Sequence, residues 1–241
     1  MIKVFHKIRQ KMLNQGKIGS YLKYAIGEII LVVIGILIAL QVNNWNEERK
    51  NQQQLYSIYS AIEDDLRMDI KDINSVISEM QVKEPCFLQV INGEMTQEIY
   101  ESHPKCAYIL AGFPDISMRQ NAFNLLSEFH GYEKEKQKET IKAINEFYTY
   151  YNTEIAVDQK SVTDVFNSRD SYWAKKHPWY SDYLFKKPNQ TFIDYALNSY
   201  EYKNEVSIFY FVFFKLYITI LKSYKQDALK LIDRMHSEVN L

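Results

Sequence analysis

Hydrophobic residues cluster in two stretches of the chain, and the first has the length of a bilayer span. Residues 24–42 include a single charged residue, Glu28, and the twelve residues 29–40 are apolar or glycine without interruption. Nineteen helical residues rise roughly 28 Å, close to the thickness of the hydrocarbon core of a membrane. The pattern predicts a transmembrane helix over residues 21–46. A helix buried in a soluble core is the alternative interpretation.

The residues on either side of this stretch also fit a membrane. Aromatic side chains suited to anchor the helix at the two interfaces are Tyr21, Tyr24 and Trp45. The basic side chains on the N-terminal side are Lys3, Lys7, Arg9, Lys11, Lys17 and Lys23, whereas the C-terminal side begins NNWNEERK, with two. By the positive-inside rule, we expect the N-terminus in the cytoplasm and residues 43–241 across the membrane. No small-residue cleavage site follows, so an uncleaved signal anchor is favoured over a cleaved signal peptide.

The first twenty residues form a separate basic segment. Within residues 1–14, apolar and lysine side chains fall on different faces of a helix, which is typical of a helix lying on an anionic membrane surface. A loose tail whose charges only fix the topology is the alternative. Gly16 and Gly19 supply a break before the membrane helix.

One face of the predicted membrane helix combines small residues with a carboxylate. Alternating spacings of three and four residues define this seam, which consists of Ala25, Glu28, Val32, Gly35 and Ala39. Small residues four apart let two helices approach closely, and a carboxylate in hydrocarbon usually finds a partner. We therefore expect the seam to form a homo-oligomer or to dock on another membrane helix. In the alternative, Glu28 reaches the cytoplasmic interface beside Lys23.

Helical periodicity continues beyond the membrane segment. Residues 43–54 contain neither glycine nor proline, and an apolar face follows at helical spacing, formed by Leu55, Tyr59, Ile62, Leu66, Ile70, Ile73, Ile77 and Met80. The pattern predicts a stalk helix over residues 47–82, with Pro85 and Asn92-Gly93 marking its end. A helical soluble domain is expected over residues 83–241, with helices at 118–130, 133–158 and about 191–201 and irregular structure at 159–190.

The second apolar stretch, residues 206–221, raises the question whether the protein crosses the membrane a second time. It has sixteen residues, and Lys215 lies in its middle. A lysine at mid-membrane costs roughly 2.5–3.5 kcal/mol on insertion scales. A buried core helix is therefore favoured over a second membrane helix. We expect it to continue to about residue 238, with an apolar face extended by Leu229, Ile232 and Met235.

Composition and charge narrow the fold class and the partners. The chain of 241 residues has only 7 glycines and 5 prolines, fewer than the many turns of an all-β fold need, so an all-α fold is predicted. Six basic residues against Glu28 give residues 1–28 a charge of +5, and the net charge of −1 leaves −6 for the remainder. An acidic soluble domain argues against nucleic acid as a partner.

Familiar catalytic patterns are missing from the sequence. It contains no phosphate-binding glycine loop, nucleotide fingerprint, nucleophile elbow or metal-like His/Cys spacing. For the acidic run 63–65 and Asp69, a solvated helix face is the favoured interpretation and a metal site is the alternative. An aromatic loop surrounds His177 and Trp179, together with Tyr172 and Trp173. Packing in the core and in a turn is its favoured interpretation, and a ligand site is the alternative. Neither an enzymatic activity nor a cofactor is expected.

The first fifty residues resemble a known family. The stretch YAIGEIILVVIGILIALQVNNWNEERK, after the basic start MIKVFHKIRQKML, is similar to the signature of a family of uncharacterised single-pass proteins of Bacteroidota. The resemblance is specific over residues 1–50 and diffuse beyond. It implies a bacterial inner membrane with the soluble domain in the periplasm. Because the family has no assigned activity, no functional residue carries over.

Cys86 and Cys106 are the two cysteines of the chain. A periplasmic location favours their pairing. Closing a loop of about twenty residues contributes roughly 3 kcal/mol in the chain-entropy model. Two separate buried thiols are the alternative.

The sequence is compatible with two functions. The leading hypothesis is a membrane-anchored interaction or scaffold protein of the bacterial inner membrane, either an accessory subunit of a larger membrane complex or a homo-oligomer. The alternative is a periplasmic helical bundle that senses a small ligand and signals through its membrane helix. The sequence does not indicate which ligand that would be.

Overall fold

In the computed structural model, which describes residues 18–131 and 135–239, the chain is all-α, as predicted, and these residues contain no strand. The helices are α1 (Ile18–Asn92), α2 (Gln97–Ser102), α3 (Pro104–Ala107), α4 (Asn121–Ser127), α5 (Glu135–Lys176), α6 (Tyr180–Leu184), α7 (Gln190–Asn198), α8 (Tyr200–Tyr210) and α9 (Ile218–Val239), with a π-helical segment (Phe211–Tyr217) between α8 and α9. The residues divide into two compact units. The first unit holds α1 up to Leu55 with residues 130–131, and the second holds the rest.

Helix α1 is continuous over 75 residues. It continues through residue 82, where the stalk was predicted to end, and finishes at Asn92, where Gly93 adopts a φ of 75° that suits a residue without Cβ. Pro85 lies inside the helix. Proline in a helix interior costs about 3 kcal/mol. The buried side chains of Phe87 and Val90 anchor the turns that follow it.

Along residues 22–42 of the first unit, the large apolar side chains of α1 are exposed in the described part of the chain. Leu31 is 64% exposed, and the large apolar residues along 22–42 are similarly open. An 18-residue window of this helix has a mean hydropathy of 2.6, and none of it is buried within the chain. By length and composition this helix is a candidate membrane span.

In the second unit, three long helical stretches form a bundle. Helix α5 packs on α8, on the π-helical segment and on α9. Helix α1 contacts the C-terminal helices through large side chains. The ring of Phe87 stacks on Phe209 at 5.7 Å and meets Phe214 edge-on at 5.3 Å. The core of this unit therefore lies between the second half of α1, α5 and the C-terminal helices.

The buried row of α1 in the second unit repeats at strict spacings of three and four residues. Its members are Tyr59, Ile62, Leu66, Asp69, Ile73, Val76 and Met80. The predicted face was wrong at two positions, because Ile70 and Ile77 are only half-buried and Asp69 and Val76 occupy the row instead. An acid in the core row is invisible to a search for apolar periodicity.

Helix α5 is much longer than predicted. It extends to Lys176, so the irregular structure expected from residue 159 onward is wrong for residues 159–176. No glycine or proline interrupts α5, and the buried face continues through Val162, Arg169 and Trp173. The basic Lys175 and Lys176 in its last turn suit the negative end of the helix dipole.

The second apolar stretch of the sequence contributes to the bundle core. The buried side chains of residues 206–221 are Val206, Phe209, Val212, Phe213, Phe214, Tyr217, Ile218 and Leu221. Helices α8 to α9 also meet the length and hydropathy criterion for a membrane span, but 39% of their window is buried inside the chain, against none for α1. Along α9, Ile232 and Met235 are buried as predicted, whereas Leu229 is exposed.

Capping and tertiary contacts set the bounds of the short helices. Helix α4 starts at Asn121 rather than at 118, because the carboxylate of Asp69 accepts the backbone N–H of Arg119 and holds that residue outside the helix. The segment predicted at 191–201 is divided at Ser199, whose hydroxyl accepts the backbone N–H groups of Glu201 and Tyr202 and caps α8.

Candidate functional site

The structure describes part of the predicted membrane-interface set. Lys3, Lys7, Arg9, Lys11, Lys17 and the rest of the basic segment 1–17 lie outside the described residues, as does the side chain of Tyr21. Lys23, Tyr24 and Trp45 are exposed on α1. Nothing in the described part of the chain covers Tyr24 or Trp45 to the extent expected of core aromatic residues.

The seam lies on one face of α1, where Ala25 and Glu28 are half-buried and Val32 is exposed. Ala25, Glu28 and Val32 line a shallow depression on the helix surface together with two neighbouring apolar residues. Gly35 and Ala39 follow on the same face and are exposed. A Cβ placed on Gly35 would meet no atom of the described residues within 4 Å. Close packing within this chain therefore does not account for a glycine at this position.

The two cysteines come together in the second unit. Cys86 near the end of α1 and Cys106 in α3 form a disulfide bond, with their Cα atoms 5.1 Å apart. Both residues are buried. The bond fixes the end of α1 to the short helices that follow it.

An aromatic cluster surrounds Trp173 at the end of α5. The indole of Trp173 is fully buried and lies 5.1 Å from the ring of Trp179 and 5.2 Å from that of Tyr183, both edge-on. The ring of Tyr202 stacks on Trp173 at 6.1 Å. Packing is therefore the role of these tryptophans, as the sequence favoured. The exposed Tyr172 differs from them, because it points to a neighbouring groove.

This groove lies between α5 and α8 and has a volume of about 690 Å³. Its walls combine charged, polar and apolar side chains, namely Asp164, Val165, Ser168, Arg169 and Tyr172 from α5 and Glu201, Asn204, Glu205 and Ile208 from α8. The volume falls in the range of about 300–1,000 Å³ that is usual for small-molecule sites. We take the groove as the candidate functional site.

Arg169 forms the buried floor of the groove and is only 5% exposed. Its Nε and Nη2 atoms donate to Oδ1 of Asp170 at 3.1 and 2.6 Å. The guanidinium lies over the rings of Phe166 and Trp173, at 4.6 and 5.1 Å from their centroids. Its Nη1 is buried and has no hydrogen-bond partner among the described residues. The guanidinium is thus held in place with both N–H groups of Nη1 unused.

Glu205 faces Arg169 across the groove. Its Oε2 accepts a hydrogen bond of 2.8 Å from Nε1 of Trp173. Burial raises the pKa of Glu205 to about 7, although the Trp173 hydrogen bond and the Arg169 charge favour its ionised form. The nearby charge of Glu201 adds to the increase, and the hydroxyl of Tyr172 donates to Glu201 at 3.4 Å. The α8 wall therefore holds two neighbouring carboxyl groups.

A second polar cluster ties α1 to the loop before α4 and to α9. Asp69 is fully buried and accepts hydrogen bonds from Nη1 of Arg119 at 2.6 Å and from the hydroxyl of Tyr224 at 2.7 Å. Arg119 also donates to the half-exposed Asp72 at 2.9 Å. The solvated face predicted for the acidic residues of α1 is therefore wrong for Asp69.

The pKa values of Asp69 and Arg119 are both raised, but for different reasons. Burial raises the pKa of Asp69 even though hydrogen bonds from Tyr224 and Arg119 favour its ionised form. The carboxylates of Asp69 and Asp72 raise the pKa of Arg119, which lies nearer the surface and is little desolvated. The cost of burying the pair therefore falls on the carboxylate. Among the described residues, no group of three or more His, Cys, Asp or Glu side chains is arranged to hold a metal ion.

Sequence reasoning singled out Tyr172 but missed the charged residues of the groove. Arg169 and Trp173 are four residues apart, as are Glu201 and Glu205, so each pair shares a helix face. This spacing was the available signal. It was overlooked because residues 159–190 were assigned to irregular structure, which placed Arg169 on no helix face at all.

The comparison with known families covers the first part of the chain. Residues 28–96 match the model of a family of unknown function, DUF6090. The matched range comprises α1 from Glu28 onward and the turn up to Thr96, and it does not reach the groove. No curated protein and no solved structure matches the chain. Similarity to a family of unknown function is therefore confirmed, while the Bacteroidota signature stays a prediction.

Proposed function

We propose that this chain is a membrane-anchored interaction protein, a scaffold or accessory subunit that assembles through the seam of α1. The observation that carries the proposal is the uncovered apolar helix, whose most hydrophobic window has a mean hydropathy of 2.6 and no burial within the chain. An apolar surface of this extent needs lipid or another protein to cover it. The bundle of the second unit is then the part presented to water.

The proposed location is the inner membrane of a bacterium, with the N-terminus in the cytoplasm and the bundle in the periplasm. The excess of lysine and arginine before the span supports this orientation. The bonded pair Cys86–Cys106 suits an oxidising compartment.

The seam is the proposed surface for self-association. Its small residues leave room for a second helix, and its carboxylate would lie inside the contact. Since Gly35 contacts no other part of the described chain within 4 Å, a larger side chain there disturbs a partner helix rather than the protomer.

Crosslinking in native membranes tests this surface. Gly35→Leu and Glu28→Leu are expected to reduce a crosslinked oligomer band. Gly27→Leu is the matched control, because a Cβ added at Gly27 likewise meets nothing within 4 Å and Gly27 lies roughly 120° around the helix from the middle of the seam. Equal bands for Gly35→Leu and Gly27→Leu would contradict association through the seam.

A protease test examines the proposed orientation. With a C-terminal epitope tag, protease added to intact spheroplasts should remove the tag while a cytoplasmic marker stays intact. A tag that is protected until the spheroplasts are lysed would place the bundle in the cytoplasm, or would make residues 206–221 a second span, and would overturn the topology.

A ligand-sensing bundle is the second candidate function, and the groove between α5 and α8 is the observation that favours it. The groove has the volume of a small-molecule site and carries a buried guanidinium with an unused donor. A ligand there would contact α8, which continues into the helices that hold α1 in the bundle. Purification in mild detergent with native mass spectrometry separates the two candidates, since a stoichiometric protein partner supports scaffolding and a bound small molecule supports sensing.

A further inference from the structure

Two polar groups that line the α5–α8 groove are only partly satisfied by the described part of the chain. One is Nη1 of Arg169, a buried charged donor with no acceptor among the described residues. A buried N–H without an acceptor is destabilising, so such groups usually mark a missing partner. The adjacent Asp170 occupies only Nε and Nη2.

The other group is the carboxyl of Glu205. Its Oε2 accepts the indole N–H of Trp173, a neutral donor, and Arg169 acts on it only through space, since no ion pair within 4 Å joins the two in the described chain. Glu201 adds a second carboxylate to the same wall, whereas Asp164 on the α5 side is already paired with Lys160. A cation entering between these carboxylates would satisfy them.

A ligand that meets both needs must carry both charges. An anion alone would face the carboxyl groups of Glu201 and Glu205, and a cation alone would leave Nη1 of Arg169 unused. A zwitterion places a carboxylate toward Arg169 and an ammonium toward Glu205 and Glu201. Arg169 and Glu205 line the same groove, so a single small zwitterion such as an α-amino acid can meet both.

Apolar side chains complete the groove. Val165 and Ile208 lie beside the charged residues, and Tyr172 offers a half-exposed aromatic ring at the same opening. The volume of about 690 Å³ is larger than a free amino acid needs, so the groove has room for an aliphatic or aromatic side chain next to the two charges. These features select an apolar amino acid over a small polar one.

We propose that the groove between α5 and α8 binds an α-amino acid with an apolar side chain. Its carboxylate accepts from Arg169, its ammonium donates to Glu205 and Glu201, and its side chain packs on Val165 and Ile208. This site is independent of membrane assembly through the seam.

Calorimetric titration of the full-length protein in mild detergent tests the site. The probes are L-leucine, isoamylamine, which lacks the carboxylate, and 4-methylpentanoate, which lacks the ammonium. L-leucine should bind, and each single-charge analogue should bind at least about 10-fold more weakly. The indole N–H of Trp173 donates a hydrogen bond to Glu205, so the fluorescence of Trp173 supplies a second readout of binding.

Substitutions locate the binding. Glu201→Gln and Glu205→Gln should weaken L-leucine binding by about 10-fold or more while leaving the thermal unfolding cooperative. Glu146→Gln is the matched control, because Glu146 lies exposed on α5 outside the groove. Binding of isoamylamine as tight as that of L-leucine would overturn the zwitterion assignment. Absence of L-leucine and L-phenylalanine binding up to about 10 mM, or equal binding by Glu205→Gln and Glu146→Gln, would overturn the site.

Discussion

The buried Asp69 is the residue whose replacement by alanine should destabilise the bundle most informatively. Its carboxylate accepts hydrogen bonds from the hydroxyl of Tyr224 and from the side chain and backbone of Arg119. These bonds join α1 to α9 and to the loop before α4. Asp69→Ala removes all of these acceptors at once.

The size of the effect follows from what each donor loses. The hydroxyl of Tyr224 is buried, and leaving such a group unsatisfied costs about 1–3 kcal/mol. The lost bonds from Arg119 add about 1 kcal/mol, because Arg119 is partly exposed and keeps its bond to Asp72. Relief of the buried charge, whose pKa is raised by burial, offsets part of this. The net loss should be about 2–3 kcal/mol, which lowers the Tm by about 4–12 °C.

Thermal unfolding of the full-length protein in mild detergent measures this loss. Near-UV circular dichroism is the suitable signal, because the apolar part of α1 stays helical in a micelle whereas the aromatic packing of the bundle is lost on unfolding. Asp64→Ala is the control, since Asp64 is exposed on the same helix, and its expected effect is within about 0.5 kcal/mol. Equal Tm values for the two variants would refute the assignment of Asp69 as the polar link between α1, α9 and the loop.

Three further changes test other parts of the structure. Replacing Cys86 and Cys106 together by alanine should lower stability by roughly 3 kcal/mol, the loop-closure contribution of a 20-residue separation, and alkylation of the unreduced protein should find no free thiol. Glu205→Gln should leave the Tm unchanged near pH 4, below the unfolded pKa of 4.5, and raise it at pH 8 by an amount equivalent to about 1–2 kcal/mol after allowance for partial exposure. The sign follows because the pKa of Glu205 rises from 4.5 to about 7 on folding, so the wild type loses stability as pH increases through that range. Pro85→Ala should stabilise the protein by about 1–3 kcal/mol by restoring a helix hydrogen bond, with the exposed Val82→Ala as control; a lower Tm for Pro85→Ala would show that the proline is required there.

Much of the architecture could be predicted because periodicity reports burial directly. The row of α1 and the C-terminal helix produce the periodic signal of a buried helix face, whereas the apolar run 24–42 is recognised by its unbroken length. Helix bounds were less predictable. The start of α4 depends on a contact between Asp69 and Arg119, fifty residues apart, and no local pattern contains that information.

The groove could not be predicted for a related reason. Its floor is a charged residue, Arg169, at a position where a periodicity search expects an apolar one, and its buried state depends on Asp170 and on rings contributed by Phe166 and Trp173. Asp69 was misjudged in the same way, because Arg119 and Tyr224 supply its compensation from distant parts of the sequence. Buried polar residues are revealed by their partners, which only the tertiary structure identifies.

The pairing of α1 with α9 also has a consequence for the order of events during synthesis. The contacts of α1 with Tyr224 and His236 span 155 and 173 residues of sequence. At a translation rate of about 5–20 residues per second, the row of α1 that contains Asp69 waits about 8–30 s before α9 emerges to meet it. During that interval the row has apolar side chains and a carboxylate without their final partners. The nascent chain therefore depends on chaperones or on the membrane surface for longer than a bundle of neighbouring helices would, and a product truncated before residue 218 should be cleared by proteolysis rather than accumulate.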